Sequence, residues 1–187
     1  GKNVFVEKPL CLSLEELDSI ESLYNKKKEE YKLNKSDIMP ILMVGYNRRF
    51  APLIIKIKKV LINIKAPKSF VYTVNSGSIA SNHWIHDPLI GGGRFIGEAC
   101  HFVDLLRFLA DSPIKDLDLY YSGEGSGKDT FSVLLTFNDG SIGTINYFAN
   151  GNKSFPKERL DVFADGKIMQ INNFMSIKTW GVNVANS

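Results

Sequence analysis

Two short stretches hold the residues best suited by type and spacing to carry chemistry. The first is Glu7-Lys8-Pro9, which directly follows the apolar run Asn3-Val4-Phe5-Val6. A run of that length and type predicts a buried parallel strand, and open α/β sheets place their ligands at the carboxyl ends of such strands. A lysine there can serve as general acid or base, or donate a hydrogen bond to a substrate hydroxyl. The plain alternative is a solvated lysine at the start of a loop. The second stretch runs Gly91-Gly92-Gly93-Arg94-Phe95-Ile96-Gly97-Glu98-Ala99-Cys100-His101-Phe102-Val103-Asp104. Its glycines allow a ligand to approach the backbone closely, and the helix expected after them sets Glu98, His101 and Asp104 at successive i, i+3 steps along one polar stripe. A histidine with a carboxylate one turn away is oriented for proton transfer, although a structural histidine satisfied by Asp104 beneath a sheet has the same spacing.

Two further clusters imitate sites. Asn82-His83-Trp84-Ile85-His86-Asp87-Pro88 offers His-x-x-His-Asp, but the thiolates or third close ligand of a zinc centre are missing, so the expectation is no metal. A substrate-facing loop with Trp84 as an apolar wall fits better. Ser122-Gly123-Glu124-Gly125-Ser126-Gly127-Lys128 departs from the phosphate-loop spacing and leads into a strand, so it reads as a hairpin connection.

These residues need elements to hold them. Ser13, with Glu15 and Glu16 behind it, opens a helix whose Leu14, Leu17, Ile20 and Leu23 form an apolar stripe out to about Tyr31. The run 41–46 is a second strand covered on both faces, so residues 1–46 read as strand, helix, strand. Residues 52–64 form a helix on Leu53, Ile54, Ile57, Val60, Leu61 and Ile64. The period then changes. Segments 69–75, 117–121, 130–137, 141–148, 159–164 and 167–171 are strand-like, and Asn138-Asp139-Gly140 and Ala164-Asp165-Gly166 turn the last four into hairpins. One helix, about 97–109, interrupts them with Phe102, Val103, Leu105, Leu106, Phe108 and Leu109. The fold class is therefore α+β, a mostly antiparallel open-faced sheet covered by helices. Residues 173–187 carry little pattern and read as a tail.

Composition narrows the function classes. The 187 residues are 44% apolar, enough for one good-sized core, and 23 Lys+Arg against 20 Asp+Glu give a net charge of +3 with no basic block. Nucleic acid is not an expected partner. No apolar window is long enough for a membrane span and no signal peptide opens the sequence, so a cytoplasmic protein is expected. The two cysteines, Cys11 and Cys100, fit a reducing compartment.

Three of these segments, in this order and spacing, resemble the Gfo/Idh/MocA family of NAD(P)-dependent sugar and polyol oxidoreductases. Val4-Phe5-Val6-Glu7-Lys8-Pro9-Leu10 resembles the family's E-K-P motif after the fifth strand of its dinucleotide-binding domain. Val44-Gly45-Tyr46-Asn47-Arg48-Arg49-Phe50 resembles the entry to the second domain, and Gly91 through His101 and Asp104 resembles the glycine-rich loop and catalytic helix. The likeness spans residues 1–172. It implies that 1–46 are the end of a Rossmann-like domain and 47–172 a substrate-binding and oligomerisation domain. By resemblance Lys8 stands beside the nicotinamide and the reacting hydroxyl, Pro9 follows a cis bond, and His101 moves the proton. Glu7, Pro9 and Asn47 fall with Lys8 on the cofactor side, and Trp84, Arg94, His101 and Asp104 on the substrate side.

The likeness has two departures. Four residues before the histidine, where well-known members carry an aspartate, stands Gly97, with Glu98 beside it as a further catalytic candidate that can instead pair with Arg94; the pattern resembles a subgroup written G-G-G-R-x-x-G-E-x-C-H-F. No G-x-G-x-x-G follows a strand anywhere, so NAD or NADP is expected to be held mainly by a domain outside these residues. The resulting expectation is the C-terminal portion of a dehydrogenase for a sugar, sugar-nucleotide or polyol, assembling as a homo-oligomer through its open sheet. The rivals are a non-catalytic sugar-binding module and an NAD-dependent glycoside hydrolase.

Overall fold

The computed structural model describes residues 2–33, 40–87, 89–122 and 129–182, which leaves Pro88 and the expected connection at 123–128 outside the described residues. The chain divides into two compact units, one of Gly1–Tyr46 with Trp84–Cys100, the other of Asn47–His83 with His101–Ser187. Residues 84–100, expected with the second domain, thus belong with the first unit.

In the first unit β1 (Val4–Val6) pairs in parallel with β2 (Leu42–Val44), and α1 (Leu14–Leu33) connects them. Ser13 caps α1 by accepting the Glu16 N–H at 3.2 Å while the Glu16 carboxylate accepts the Leu12 N–H at 2.9 Å. The strands and the apolar stripe, however, are not buried as the sequence predicts. Val4 is 48% exposed and Phe5 62%, and Leu14, Leu17 and Leu23 of α1 are exposed as well. Two three-residue strands and one helix make too little sheet to form a second layer over themselves.

The second unit has its own core. A 3-10 turn (Asn47–Phe50) leads into α2 (Pro52–Leu61), which opens on the proline that the first helical position favours. There follow β3 (Ser69–Asn75), α3 (Cys100–Ala110), β4 (Ile114–Tyr121), β5 (Phe131–Phe137), β6 (Ile142–Phe148), β7 (Glu158–Ala164), β8 (Lys167–Asn172) and β9 (Ser176–Trp180). They form a seven-stranded sheet in the order β4-β5-β6-β3-β7-β8-β9, antiparallel except where β3 runs parallel to β6. The 173–187 segment is therefore not a tail throughout, because Ser176–Trp180 pairs with β8.

Alternation sorts the sheet residues. Phe70, Tyr72, Val74, Val133, Leu135, Ile145, Tyr147, Leu160 and Val162 are buried with Phe102, Leu105, Leu106 and Leu109 of α3. Leu106 meets Gly143 where any side chain would stand 2.8 Å from its Cδ1, Phe102 lies edge-on to Tyr72 at 5.0 Å, and the Lys68 ammonium reaches the Ala110 carbonyl. These contacts run α3 antiparallel to β3. The His101 end of α3 consequently lies at the edge of the sheet where β3 ends at Asn75, β6 ends at Phe148 and β7 begins at Glu158.

Candidate active site

Within the first unit the sequence-predicted lysine has a defined partner. The Lys8–Pro9 peptide bond is cis, and the Lys8 ammonium donates to the Gly97 carbonyl at 2.7 Å. Gly97 belongs to a π-helical turn (Phe95–Ala99) that precedes α3. The wider i→i+5 bonding of such a turn disturbs the regular carbonyl ladder, and π turns concentrate at functional sites. With one N–H on Gly97, the Lys8 ammonium has two further donors to offer a ligand. Glu7, beside it, folds over the end of β2, where a side chain on Gly45 would stand 3.1 Å from the Glu7 carboxylate.

The glycine-rich loop is built from main chain. After a 3-10 turn (Trp84–His86), the Asp87 carbonyl accepts the N–H groups of Ile90, Gly91 and Gly92 at 3.3, 2.8 and 3.0 Å, while its side chain takes the Leu89 N–H at 2.8 Å. Gly91 is required because a Cβ there would fall on the Ile85 main chain, and Gly92 and Gly93 turn with φ of +65° and +81°. Arg94 is buried with its Nε 3.9 Å from Glu98 Oε1, while Trp84 is 60% exposed. The uniform stripe expected for Glu98, His101 and Asp104 is broken, since Glu98 sits in the π turn and the other two in α3.

In the second unit His101 is buried near the start of α3, and Asn47 is exposed at the head of the 3-10 turn. Asp104 is engaged on both oxygens by the Arg49 guanidinium, with Nε to Oδ2 at 2.9 Å and Nη2 to Oδ1. Arg48 forks in the same way onto Glu158 at 3.0 and 2.7 Å, and Tyr72 donates its hydroxyl to the same carboxylate. Burial pushes the Glu158 carboxyl up, but the hydrogen bonds and charge of Arg48 outweigh it and hold the group below the usual carboxylate range. Burial, with the Glu158 charge beside it, drives the Tyr72 phenol well above its ordinary value. Sequence reasoning missed both arginine pairs, whose partners lie 110 and 55 residues away. Among the described residues no three His, Cys, Asp or Glu side chains gather to hold a metal.

The GFO/IDH/MocA C-terminal domain family matches residues 66–169. A myo-inositol 2-dehydrogenase from Thermotoga maritima is 29% identical over 183 residues, covering 91% of this chain and 50% of that protein. An oxidoreductase domain protein from Kribbella flavida superimposes with a TM-score of 0.77 at 19% identity, over 96% of this chain and 52% of the other. An NAD binding oxidoreductase from Klebsiella pneumoniae does so with a TM-score of 0.74 at 17% identity, over 96% and 50%. The chain thus spans about half the length of these relatives.

Proposed function

Because this chain belongs to the GFO/IDH/MocA family, we propose that it is the substrate-binding and assembly portion of an NAD(P)-dependent dehydrogenase whose substrate is a sugar, sugar-nucleotide or polyol. The observation that carries the reading is the Lys8 ammonium, tethered to Gly97 at the end of a parallel strand. NAD(P), when bound, supplies the hydride acceptor or donor for the carbinol carbon. By the family likeness Glu7, Lys8, Pro9 and Asn47 serve its nicotinamide end, and no G-x-G-x-x-G stands in this sequence to hold its phosphates.

Lys8 directs its remaining N–H donors to the substrate oxygen and stabilises the charge that develops there during oxidation. His101 accepts the hydroxyl proton and returns it in the reverse direction. Trp84 offers an apolar wall to the sugar ring, and Arg94 holds Glu98, which plays the lesser part. The sheet face opposite the helices leaves Val71, Phe148, Phe163 and Trp180 partly exposed, which suits pairing with a second copy.

The test is steady-state kinetics of the complete enzyme carrying this chain, assayed with NAD+ and NADP+ against a panel of polyols that includes myo-inositol, aldoses and sugar nucleotides. Lys8→Met and His101→Asn each lower kcat by about 10²-fold with little change in cofactor affinity, and Glu98→Gln lowers it less. Wild-type kcat in both of the first two variants would overturn the assignment.

A further inference from the structure

Four cations from the segment before β3 grip α3 along its length. At its carboxyl end Lys58 donates to the Phe108 carbonyl at 2.7 Å and lies 3.0 Å from the Asp111 carboxylate, while Lys68 reaches the Ala110 carbonyl at 3.5 Å. Cations there satisfy terminal carbonyls and complement the helix dipole. Nearer the amino end the hold is made by side chains. The Arg48 guanidinium lies 4.9 Å over the Phe102 ring while forked on Glu158 of β7, and Arg49 forks on Asp104 while its guanidinium lies 5.2 Å over Phe108. The two arginines are adjacent in one 3-10 turn, so side chains from a single short turn reach α3 at residues 102, 104 and 108 and the sheet at Glu158.

Half-buried ion pairs of this kind contribute little net stability, because desolvation offsets much of their attraction. What a fork does deliver is direction, since a planar guanidinium on a carboxylate fixes both partners' orientation in a way that a point charge cannot. The positions that the two arginines grip begin at the residue after His101 and reach Phe108, about two turns beyond it. Rolling α3 about its axis breaks the contacts at Phe102 and Asp104 together, and sliding it breaks the fork.

We propose that Arg48 and Arg49 are positioning residues that fix the imidazole of His101, and that Asp104 is the far half of that clamp and not a ligand for substrate. The proposal rests on the reading of His101 as the proton-transfer group. A misplacement of about 1 Å at such a group lowers rates by up to about 10²-fold, so a clamp here acts on the reaction without touching its atoms.

The chain has three histidines, His83, His86 and His101, so each gives one Cε1–Hε1 correlation in a 13C-labelled sample. The full chain is recorded at about pH 8.5, well above the ordinary imidazole value near 6.5, so that shifts report position and not titration. His101→Asn assigns the signal. Arg49→Met and Asp104→Asn are expected to move or split the His101 signal and leave His83 and His86 in place, with the double variant matching either single one. Arg48→Lys is expected to shift it as well, and Arg107→Met, at an exposed arginine of the same helix, to leave it unmoved. A folded Arg49→Met chain with a lower melting temperature but a wild-type His101 signal would overturn the proposal by reducing the pair to stabilisation; should Arg49→Met unfold, Arg49→Lys decides in the same way. The kinetics of His101→Asn judge the catalytic reading separately, so the clamp and the reading can fail independently.

Discussion

The two units keep their shape by different means. The second is a conventional core, in which Tyr72, Phe102, Tyr147 and Phe131 form one aromatic chain with successive ring centroids 5.0, 6.0 and 4.8 Å apart within a unit of seven paired strands. The first has two three-residue strands and a helix with no buried residue; its order comes from hydrogen bonds to main-chain carbonyls, that of Asp87 with three N–H groups and that of Gly97 with the Lys8 ammonium. The contrast is instructive. The lysine and the glycine loop stand where backbone geometry is tightly specified but little apolar area is buried, while the histidine stands on a helix anchored in a core. Functional segments are commonly drawn from the less stable end of a fold, and the sparse packing of the unit that carries the candidate lysine and glycine loop follows that pattern.

The contrast should be largest in hydrogen exchange of the chain. If the first unit opens freely and the second only with global unfolding at 5 kcal/mol or more, amides of β1, β2 and α1 exchange about 10³-fold faster than those of β3, β5, β6 and β7. Equal protection in a monomer would erase the distinction.

Packing variants sharpen it. Leu106→Ala should destabilise the second unit by about 2–5 kcal/mol in chemical denaturation. Because a Cβ on Gly143 would stand 2.8 Å from Leu106 Cδ1, Gly143→Ala is expected to be better tolerated in the Leu106→Ala background than alone. Additive losses would show that the two do not share that space. Gly91→Ala forces a methyl onto the Ile85 main chain and is expected to remove exchange protection from 90–99 while leaving the second unit's denaturation midpoint in place. A shift of that midpoint would mean that the loop supports the core.

The smallest expected effect is on acid stability. The Glu158 carboxyl is held below its ordinary value in the fold, so it binds a proton more readily when unfolded. Its contribution is therefore full above the ordinary carboxylate range near pH 4.3 and is lost as pH falls through the folded value. Arg48→Met removes the fork that holds the group down, and the acid unfolding midpoint followed by circular dichroism should rise. An unchanged midpoint would place the depression elsewhere.

Much of this was legible in the sequence because it rests on local pattern. Alternation marks β3 at Ser69–Asn75 without error, and Asp165-Gly166, both at positive φ, mark the β7–β8 hairpin. The strand at Ser176–Trp180 escaped because its turn is disguised. Asn173 and Phe174 both take positive φ, and the Met175 N–H closes on the Asn172 carbonyl, but a bulky aromatic stands where glycine ordinarily signals such a turn. Docking explains how it is tolerated, since Asn173 exchanges two hydrogen bonds with the Glu158 backbone. The π turn at Phe95–Ala99 was equally hidden, because apolar spacing cannot separate one extra residue per turn from an ordinary helix start. The arginine clamps are invisible for another reason, since nothing in Asn47-Arg48-Arg49-Phe50 says which distant carboxylate each guanidinium will take. The candidate residues were readable one by one; the partners that position them were not.

The place of β3 in the sheet has a consequence for how the protein is made. It is the first of the seven strands to leave the ribosome, yet both its neighbours come late: Ser69 pairs with Ile142 on one side and Phe163 on the other. At about 5–20 residues per second, the nascent chain carries the unpaired segment Ser-Phe-Val-Tyr-Thr-Val-Asn for roughly 4–15 s before its first partner has been synthesised. Such a segment, rich in aromatic and β-branched residues and without a charge, is prone to pair with other chains. Slower translation and scarcer chaperones are therefore expected to lower the yield of folded protein, acting through the strand at the middle of the sheet.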